Sequence, residues 1–227
     1  MIYITGDTHG PLEFERIYSF YESNKISSED YLLICGDFGG IWDGGRLDSS
    51  VLDFYSDQLW KVLFIDGNHE NFDLLNSYPV SEWQGGRVHR INEQVYHLMR
   101  GQIYTIENRK FFTMGGAVSI DRYNRKEGIS WWPQEMPSSE EYEEAFVNLR
   151  KNNNKVDYII THCAPDLIQD QLSNQTYEHN KLTNFLEIVR QDIRFNAWYF
   201  GHYHQDHNYF NRYFPMYNRI IPIEGSR

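Results

Sequence analysis

Short apolar runs alternate with amphipathic segments through the first 80 residues. The runs at 2–5, 31–35 and 61–65 have the length of buried strands. Between them, apolar side chains recur at helical spacing over residues 14–21 and, less regularly, over residues 51–59. Strands that alternate with helices are typical of an α/β layered fold, which we therefore expect here.

The pattern becomes strand-like between Arg87 and Ala117. It predicts strands at 95–99, 102–107 and 110–114, separated by residues that favour turns. Consecutive short strands joined by tight turns indicate antiparallel pairing. We interpret this part of the chain as an antiparallel meander.

The last 90 residues return to alternating helices and strands. Ser138 and Glu141 have the spacing of a capping box, which predicts that a helix starts at Ser138. The other predicted elements are strands at 157–161 and 197–200, a helix face over 182–189, and closing strands within 212–223. Since the chain shows no internal repeat and no linker, a single domain over residues 1–227 is expected.

Composition and charge narrow the class of protein. Of the 227 residues, 41% are hydrophobic, which is typical of a folded chain. The formal charge of −11 disfavours a protein that neutralises many nucleic-acid phosphates, although it permits a small phosphate ester. Two cysteines are too few for a disulfide framework, and no apolar run approaches the roughly 20 residues of a membrane helix. We expect a cytoplasmic protein with neither a signal peptide nor a membrane partner.

Five polar clusters lie at the carboxyl ends of predicted strands. They are residues 6–10 (Gly-Asp-Thr-His-Gly), 36–37 (Gly-Asp), 67–70 (Gly-Asn-His-Glu), 161–162 (Thr-His) and 201–204 (Gly-His-Tyr-His). Because the carboxyl ends of parallel strands share one edge of a sheet, we expect the clusters to meet. Carboxylates, imidazoles and an amide suit first-row divalent metals.

Spacing and glycines strengthen this interpretation. Asp7 and His9, and likewise His202 and His204, are two positions apart, so an extended backbone would direct both members of a pair to one side. A glycine precedes four of the five clusters, where a missing Cβ allows the close approach that a crowded site requires.

In their order, the five clusters resemble the motifs of the calcineurin-like metallophosphoesterases. The resemblance extends from Asp7 to His204, nearly the whole chain. It implies two mixed β-sheets in a four-layer α-β-β-α sandwich. It also implies two divalent metal ions, one held by Asp7, His9, Asp37 and His204 and the other by Asp37, Asn68, His162 and His202. Manganese, iron and zinc all suit such ligands.

The function implied by the resemblance is hydrolysis of a phosphomonoester by a metal-bridging hydroxide. Asp37 would bridge the metals, and His69 would act as a catalytic donor to the leaving-group or a phosphate oxygen, with Asn68 also contacting substrate. Two ions and their ligands would give a positive centre within an acidic protein, which favours a phosphate dianion. The alternatives are a phosphodiesterase or nucleotide hydrolase at the same site, a nuclease, and a non-catalytic binding scaffold of the same fold.

One departure from the motifs bears on the substrate. Protein-phosphatase relatives read GDxxDRG in the second cluster, where the second aspartate orients the catalytic histidine. Here residues 36–40 are Gly-Asp-Phe-Gly-Gly, and Asp66 stands where those enzymes commonly have arginine. A small phosphorylated substrate is therefore favoured over a phosphoprotein. Asp43, Arg46 and Asp48 are candidates to orient His69.

Residues 119–138 resemble an insertion of small bacterial and phage members of the family. We hypothesise that this segment overhangs the metals and that Arg122 or Arg125 clamps the phosphate, as a guanidinium fork can. The alternative is a solvated loop whose tryptophans pack on the sheet edge. Structural or surface roles are expected for the histidines outside the motifs, namely His89, His97, His179 and His207, and Glu70 is interpreted as the start of the next helix.

Overall fold

The apolar runs form the strands of two mixed β-sheets. The computed structural model describes residues 1–173, 177–207 and 211–223. The strands are β1 (Ile2–Thr5), β2 (Tyr31–Ile34), β3 (Lys61–Phe64), β4 (Val80–Trp83), β5 (Gly86–Arg90), β6 (Val95–Leu98), β7 (Ile103–Ile106), β8 (Arg109–Met114), β9 (Tyr158–Thr161), β10 (Ala197–Phe200), β11 (Tyr213–Pro215) and β12 (Ile221–Pro222).

In the described residues, six α-helices cover the sheets. They are α1 (Phe14–Ser23), α2 (Arg46–Ser56), α3 (Phe72–Leu75), α4 (Ser139–Lys151), α5 (Asp166–Ser173) and α6 (Lys181–Asp192). The predicted capping box opens α4: Ser138 Oγ accepts a hydrogen bond from the Glu141 N–H, and Glu141 Oε2 accepts one from the Ser138 N–H. No helix in the described ranges is both long and apolar enough to span a membrane.

Strand order brings the predicted clusters to neighbouring strand ends. The first sheet has the order β12-β1-β2-β3-β6-β5-β4, and the second β11-β10-β9-β8-β7. Strands β1, β2, β3 and β6 are mutually parallel, as are β8 to β11, whereas β12, β5 and β7 pair antiparallel to their neighbours. The strands that precede the five clusters are thus adjacent and parallel within each sheet.

Three hydrophobic clusters separate four layers. The middle cluster packs the facing sides of the two sheets, with residues such as Leu33 and Leu63 against Tyr158 and Ile160. A second cluster joins the outer face of the first sheet to α1 and α2, and a third joins the second sheet to α4, α5 and α6. The α/β fold with two mixed sheets is therefore confirmed, in the four-layer order implied by the resemblance.

The predicted meander is wrong in its connections. Strand β6 pairs with β3 and β5 in the first sheet, whereas β7 and β8 belong to the second. The turn at Arg100 and Gly101 is therefore a crossing between sheets. Gly101, at a φ of 70°, passes so close to α4 that an added Cβ would lie 3.0 Å from the Ala145 nitrogen. Strand β4 was not predicted, because its exposed edge position leaves it without an apolar run.

Candidate metal centre

The five polar clusters meet at one place, where strand ends of both sheets converge. Asp7 and His9 follow β1, Asp37 follows β2, and Asn68 follows β3. From the second sheet, His162 follows β9, and His202 and His204 follow β10. A cavity of about 300 Å³ opens at this place and is lined by His9, Asp37, Asn68, His69, His202 and His204, among others. The predicted convergence of the clusters is thus observed.

Asp7, His9 and His204 form one group of metal-ligand type. One potential ligand atom from each lies within 4.8 Å of the other two. The His204 Nε2 atom is 3.0 Å from Asp7 Oδ2, and the Nε2 atoms of His9 and His204 are 3.4 Å apart. Asp7 is fully buried, whereas the side chains of His9 and His204 are 27% and 47% exposed. An ion here would have a buried anion behind it and solvent access in front.

Asp7, Asp37 and His162 form a second group within the same 4.8 Å limit. His162 Nε2 lies 3.4 Å from Asp37 Oδ2 and 3.1 Å from Asn68 Oδ1. Asp37 Oδ2 is also 3.9 Å from His9 Nε2, so this oxygen lies between the two groups. The resemblance assigns the bridge between ions to Asp37, and the assignment of each ligand to one ion stays a prediction.

The orientation of the His162 ring suits metal binding. Its Nδ1–H donates to the Cys35 carbonyl oxygen at 2.7 Å, which directs Nε2 towards Asn68 and Asp37. Although burial opposes its protonation, the carboxylates of Asp37 and Asp7 raise the pKa of His162 to about 10. Two buried carboxylates thus favour a positive charge between them, which is the requirement of a cation site.

The other charges fit the same conclusion. Although burial alone would raise it, His162 holds the pKa of Asp37 well below its usual range. Burial, together with the charge of His162, lowers the pKa of His202 to about 3, so this imidazole is neutral and has a lone pair to offer. Carboxylates bind metals as anions and imidazoles as neutral rings, so Asp37 and His202 already have the binding form, whereas His162 would lose a proton when an ion binds. The donor set therefore fits divalent ions.

A hydrogen-bond chain orients Asn68. Its Nδ2 group donates to Ser119 Oγ at 3.1 Å, and Ser119 Oγ donates to Glu135 Oε2 at 2.6 Å. All three residues are buried. With the amide nitrogen held by Ser119, Asn68 Oδ1 faces His162, which is the orientation that a ligand oxygen requires.

Two of the glycines that precede the clusters allow a carboxylate of another cluster to approach closely, as predicted. A Cβ at Gly67 would lie 2.0 Å from Asp37 Oδ1, and a Cβ at Gly201 would lie 2.1 Å from Asp7 Oδ1. Each position thus admits a carboxylate from another strand end. No side chain larger than hydrogen fits without moving the carboxylate.

Four of the seven predicted ligands have a left-handed backbone. The φ angles are 46° at His9, 47° at Asp37, 67° at His202 and 50° at His204. The spaced pairs therefore do not lie on an extended backbone. Asp7 and His9 nevertheless share a group, as predicted, whereas His202 and His204 do not share one in the described part of the chain. Residues other than glycine adopt this conformation rarely, at a cost of about 1–3 kcal/mol each.

His69 contacts both the metal-ligand cluster and the 119–138 segment. Its backbone N–H donates to Asp37 Oδ1 at 2.8 Å. Arg125 Nη1 lies 3.0 Å from His69 Nδ1, and Arg125 Nε donates to Asp121 Oδ1 at 2.8 Å. Burial lowers the pKa of His69, the negative charge of Asp37 raises it, and the positive charge of Arg125 lowers it further. Among the residues that the structure describes, the side-chain hydrogen-bond partner of this imidazole is thus an arginine and not a carboxylate.

The carboxylates suggested as partners of His69 are engaged in their own loop. Asp48 Oδ2 accepts hydrogen bonds from the backbone N–H groups of Trp42, Asp43 and Gly44, and Asp43 Oδ1 accepts one from Gly45. Arg46 begins α2. Within the described residues, His69 is hydrogen-bonded to Arg125 and to none of these three candidates, so that suggestion is wrong.

The 119–138 segment has features of both predicted arrangements: part of it reaches the candidate centre, and part of it packs through a tryptophan. Ser119, Asp121 and Arg125 reach the candidate centre, whereas Trp132 is buried against Trp42 and donates to Asp73. Arg122 lies near its neighbour Tyr123, which is 85% exposed. The two arginines therefore differ in position, and only Arg125 contacts a motif residue within the described ranges.

Three supporting residues were not predicted. Glu70 does not begin a helix: it is fully buried, and its Oε1 accepts from the Phe38 N–H, which fixes the chain after Asp37. Tyr217 stacks on His204 with ring centroids 4.4 Å apart, and Tyr177 lies 5.5 Å from the ring of His202. Only Glu70 carried a sequence signal, since it continues the third cluster.

The histidines outside the motifs lie apart from the seven predicted ligands. His89 and His97 are buried and bonded to each other through their Nδ1 atoms at 2.9 Å, and His97 Nε2–H donates to Asp66. His179 contacts Asp170, and His207 is exposed. These placements agree with the structural and surface roles expected for them.

Comparison with known protein families identifies a family for this chain. The family model described as calcineurin-like phosphoesterase matches residues 1–206 of the 227-residue chain. The matched region contains all seven candidate ligands together with His69 and Arg125. No curated protein matches the chain.

Proposed function

The chain belongs to the calcineurin-like phosphoesterases, a family of metal-dependent phosphoester hydrolases, and from this we propose that it hydrolyses a small phosphomonoester with two divalent metal ions. The observation that carries the proposal is the meeting of two buried carboxylates, an amide oxygen and four imidazoles, five of these groups lining one cavity and Asp7 and His162 lying directly behind it. A binding scaffold without activity would have no need to retain all seven.

Each side chain has a part in this proposal. Asp7, His9, Asp37 and His204 would hold one ion, and Asp37, Asn68, His162 and His202 the other. When bound, the ions would lower the pKa of a water molecule and stabilise negative charge on the phosphate oxygens. His69 and Arg125 would bind a substrate oxygen through their N–H groups, which orients the ester in the cavity.

The substrate preference rests on the surroundings of the centre. A second cavity of about 410 Å³ shares Ile120, Tyr177 and His202 with the first and extends to Arg122 and Tyr123. It gives room for the alcohol portion of a small ester. Because Tyr177 and Tyr123 offer aromatic surface there, a nucleotide or a phosphodiester is the second candidate.

The test is hydrolysis of an aryl phosphate, an aryl phosphodiester and a set of nucleotides, each with manganese, iron or zinc. We expect the monoester to be hydrolysed, chelation to abolish activity, and added metal to restore it. Asp37→Asn and His162→Ala should be inactive, whereas the exposed matched controls Asp53→Asn and His207→Ala should retain activity. A folded wild-type protein that hydrolyses no ester with any of these metals would refute the proposal.

A further inference from the structure

The contact between Arg125 and His69 has an unusual donor arrangement. Arg125 Nη1 lies 3.0 Å from His69 Nδ1, and Arg125 Nη2 lies 3.4 Å from His69 Nε2. The guanidinium fork therefore faces both ring nitrogens. Ser130 and Asp121 hold the fork, since Nη1 also donates to the Ser130 carbonyl at 3.2 Å and Nε donates to Asp121.

The hydrogens of this pair can be counted. A guanidinium has N–H donors and no acceptor, and a neutral imidazole has one lone-pair nitrogen and one N–H. Only one of the two contacts can therefore be a hydrogen bond. The shorter contact, at Nδ1, has the ordinary length of one, which leaves the imidazole hydrogen on Nε2.

We propose that Arg125 is a positioning residue, a proposal that rests on the proposed function. Arg125 keeps His69 Nδ1 as a hydrogen-bond acceptor. His69 Nε2–H and Arg125 Nη2–H can then together bind one oxygen of the phosphate ester. These two donor nitrogens are 3.4 Å apart, and one oxygen can lie at hydrogen-bond distance from both. The two N–H groups repel each other while nothing lies between them. An anionic oxygen placed between them accepts a charge-assisted hydrogen bond from each.

This arrangement takes the place of the aspartate that the second cluster lacks. A carboxylate partner at Nδ1 accepts from an N–H, so Nε2 of a neutral imidazole is then a lone pair. An arginine partner donates to Nδ1, so Nε2 carries the hydrogen while the ring is neutral. Arg125 thus keeps Nε2 as a donor in the neutral ring, which a carboxylate partner does only in the protonated ring, and it adds a second N–H beside it.

The tautomer is measured directly by long-range ¹H–¹⁵N NMR of the metal-free and zinc-loaded proteins. The His69 signals are identified by their loss in His69→Gln. We expect the Nε2–H tautomer in the wild type, a mixture of tautomers in Arg125→Ala, and recovery of Nε2–H in Arg125→Lys, which keeps one charged donor. An Nδ1–H tautomer in the wild type, or an unchanged tautomer in Arg125→Ala, would overturn the proposal.

Kinetics separate positioning from simple phosphate binding. Arg125→Ala should lower kcat on the order of 10²-fold, a loss typical of one missing donor. In a His69→Gln background, the same change should cost much less, because the two residues act as a unit. Lys126→Ala, an exposed change in the same segment, serves as the control. A rise in KM alone, equal in both backgrounds, would show that Arg125 only binds phosphate and would contradict the proposal.

The two proposals fail separately. If the wild type hydrolyses no ester but its tautomer depends on Arg125, the proposed function is refuted and the positioning of His69 is supported. If the wild type is active and the tautomer does not depend on Arg125, the positioning proposal alone is wrong.

Discussion

Arg100 and Asp66 form an ion pair that is shut off from solvent beside the candidate metal centre. The Nη2 and Nε atoms of Arg100 lie 2.5 and 2.9 Å from Asp66 Oδ2, and the two side chains are 5% and 1% exposed. Although burial alone would raise it, Arg100 and His97 keep the pKa of Asp66 well below its usual range. Asp66 directly precedes Gly67 and Asn68, so the pair anchors the loop that carries one predicted ligand.

Removing one member of this pair should be costly. Arg100→Met leaves the buried Asp66 carboxylate without its guanidinium partner and with only the hydrogen bond from His97, which we expect to lower the free energy of unfolding by about 3–5 kcal/mol. Urea denaturation measures this. The exposed pair of Arg90 and Glu93 is the control, where Arg90→Ala should cost less than about 1 kcal/mol. Equal losses in the two variants would contradict the prediction.

His89 should make stability depend on pH. Burial, with the charge of His97, lowers the pKa of His89 from 6.5 to about 4, while Asp66 raises it and Arg87 lowers it further. Between pH 6.5 and 4 the unfolded chain therefore binds a proton that the folded chain does not. The free energy of unfolding should fall as the pH falls through this window, by up to about 3 kcal/mol for this group.

Denaturation of the wild type and His89→Asn at pH 7.5 and pH 4.5 isolates this contribution. The variant should lose less stability than the wild type as the pH falls. His207→Asn, which replaces an exposed histidine, should follow the wild type. Parallel behaviour of wild type and His89→Asn would show that burial of His89 has no such effect.

Ser119 should set metal affinity without touching the ion. Ser119→Ala removes the acceptor that holds the Asn68 amide, so that Oδ1 is no longer directed towards His162. We expect Mn²⁺ affinity to fall about 10–100-fold, as measured by calorimetry. Ser77→Ala, at an exposed position after α3, should bind as the wild type does. Unchanged affinity in Ser119→Ala would argue against Asn68 as a ligand.

Gly67 should tolerate no side chain. The Cβ of Gly67→Ala would lie 2.0 Å from Asp37 Oδ1 and displace that carboxylate, so Mn²⁺ binding should weaken at least about tenfold. Gly128→Ala is the control, because its Cβ would meet nothing within 4 Å. Its positive φ of 71° should cost about 1 kcal/mol of stability while metal binding persists. Full Mn²⁺ binding by Gly67→Ala would refute this account of the loop.

The sequence predicted the positions of the site residues better than their local conformation. Buried strands are visible as apolar runs, and the polar residues after them follow from the parallel order of the strands. The left-handed backbone of His9 and His204 was not predicted, since the spacing within their pairs indicated an extended form. Tertiary contacts hold these angles against their local cost.

Contacts between residues far apart in the sequence were also not predicted. The contact of Arg125 with His69 joins residues 56 positions apart, and no periodicity encodes it. Likewise, the boundary of α2 was misplaced because Leu59, which was included in its pattern, is 52% exposed and lies beyond the helix. Strand β4 was missed because an edge strand with solvent on its faces has no apolar signature.

The two sheets contribute different atoms to the candidate centre: oxygens come from the loops after β1, β2 and β3, whereas three of the four imidazoles come from the loops after β9 and β10. An ion bound there would connect the two sheets, because its ligands come from both. Its binding energy would then add to the cohesion of the whole molecule. Removing the ion should therefore weaken the packing between the two sheets as well as abolish hydrolysis.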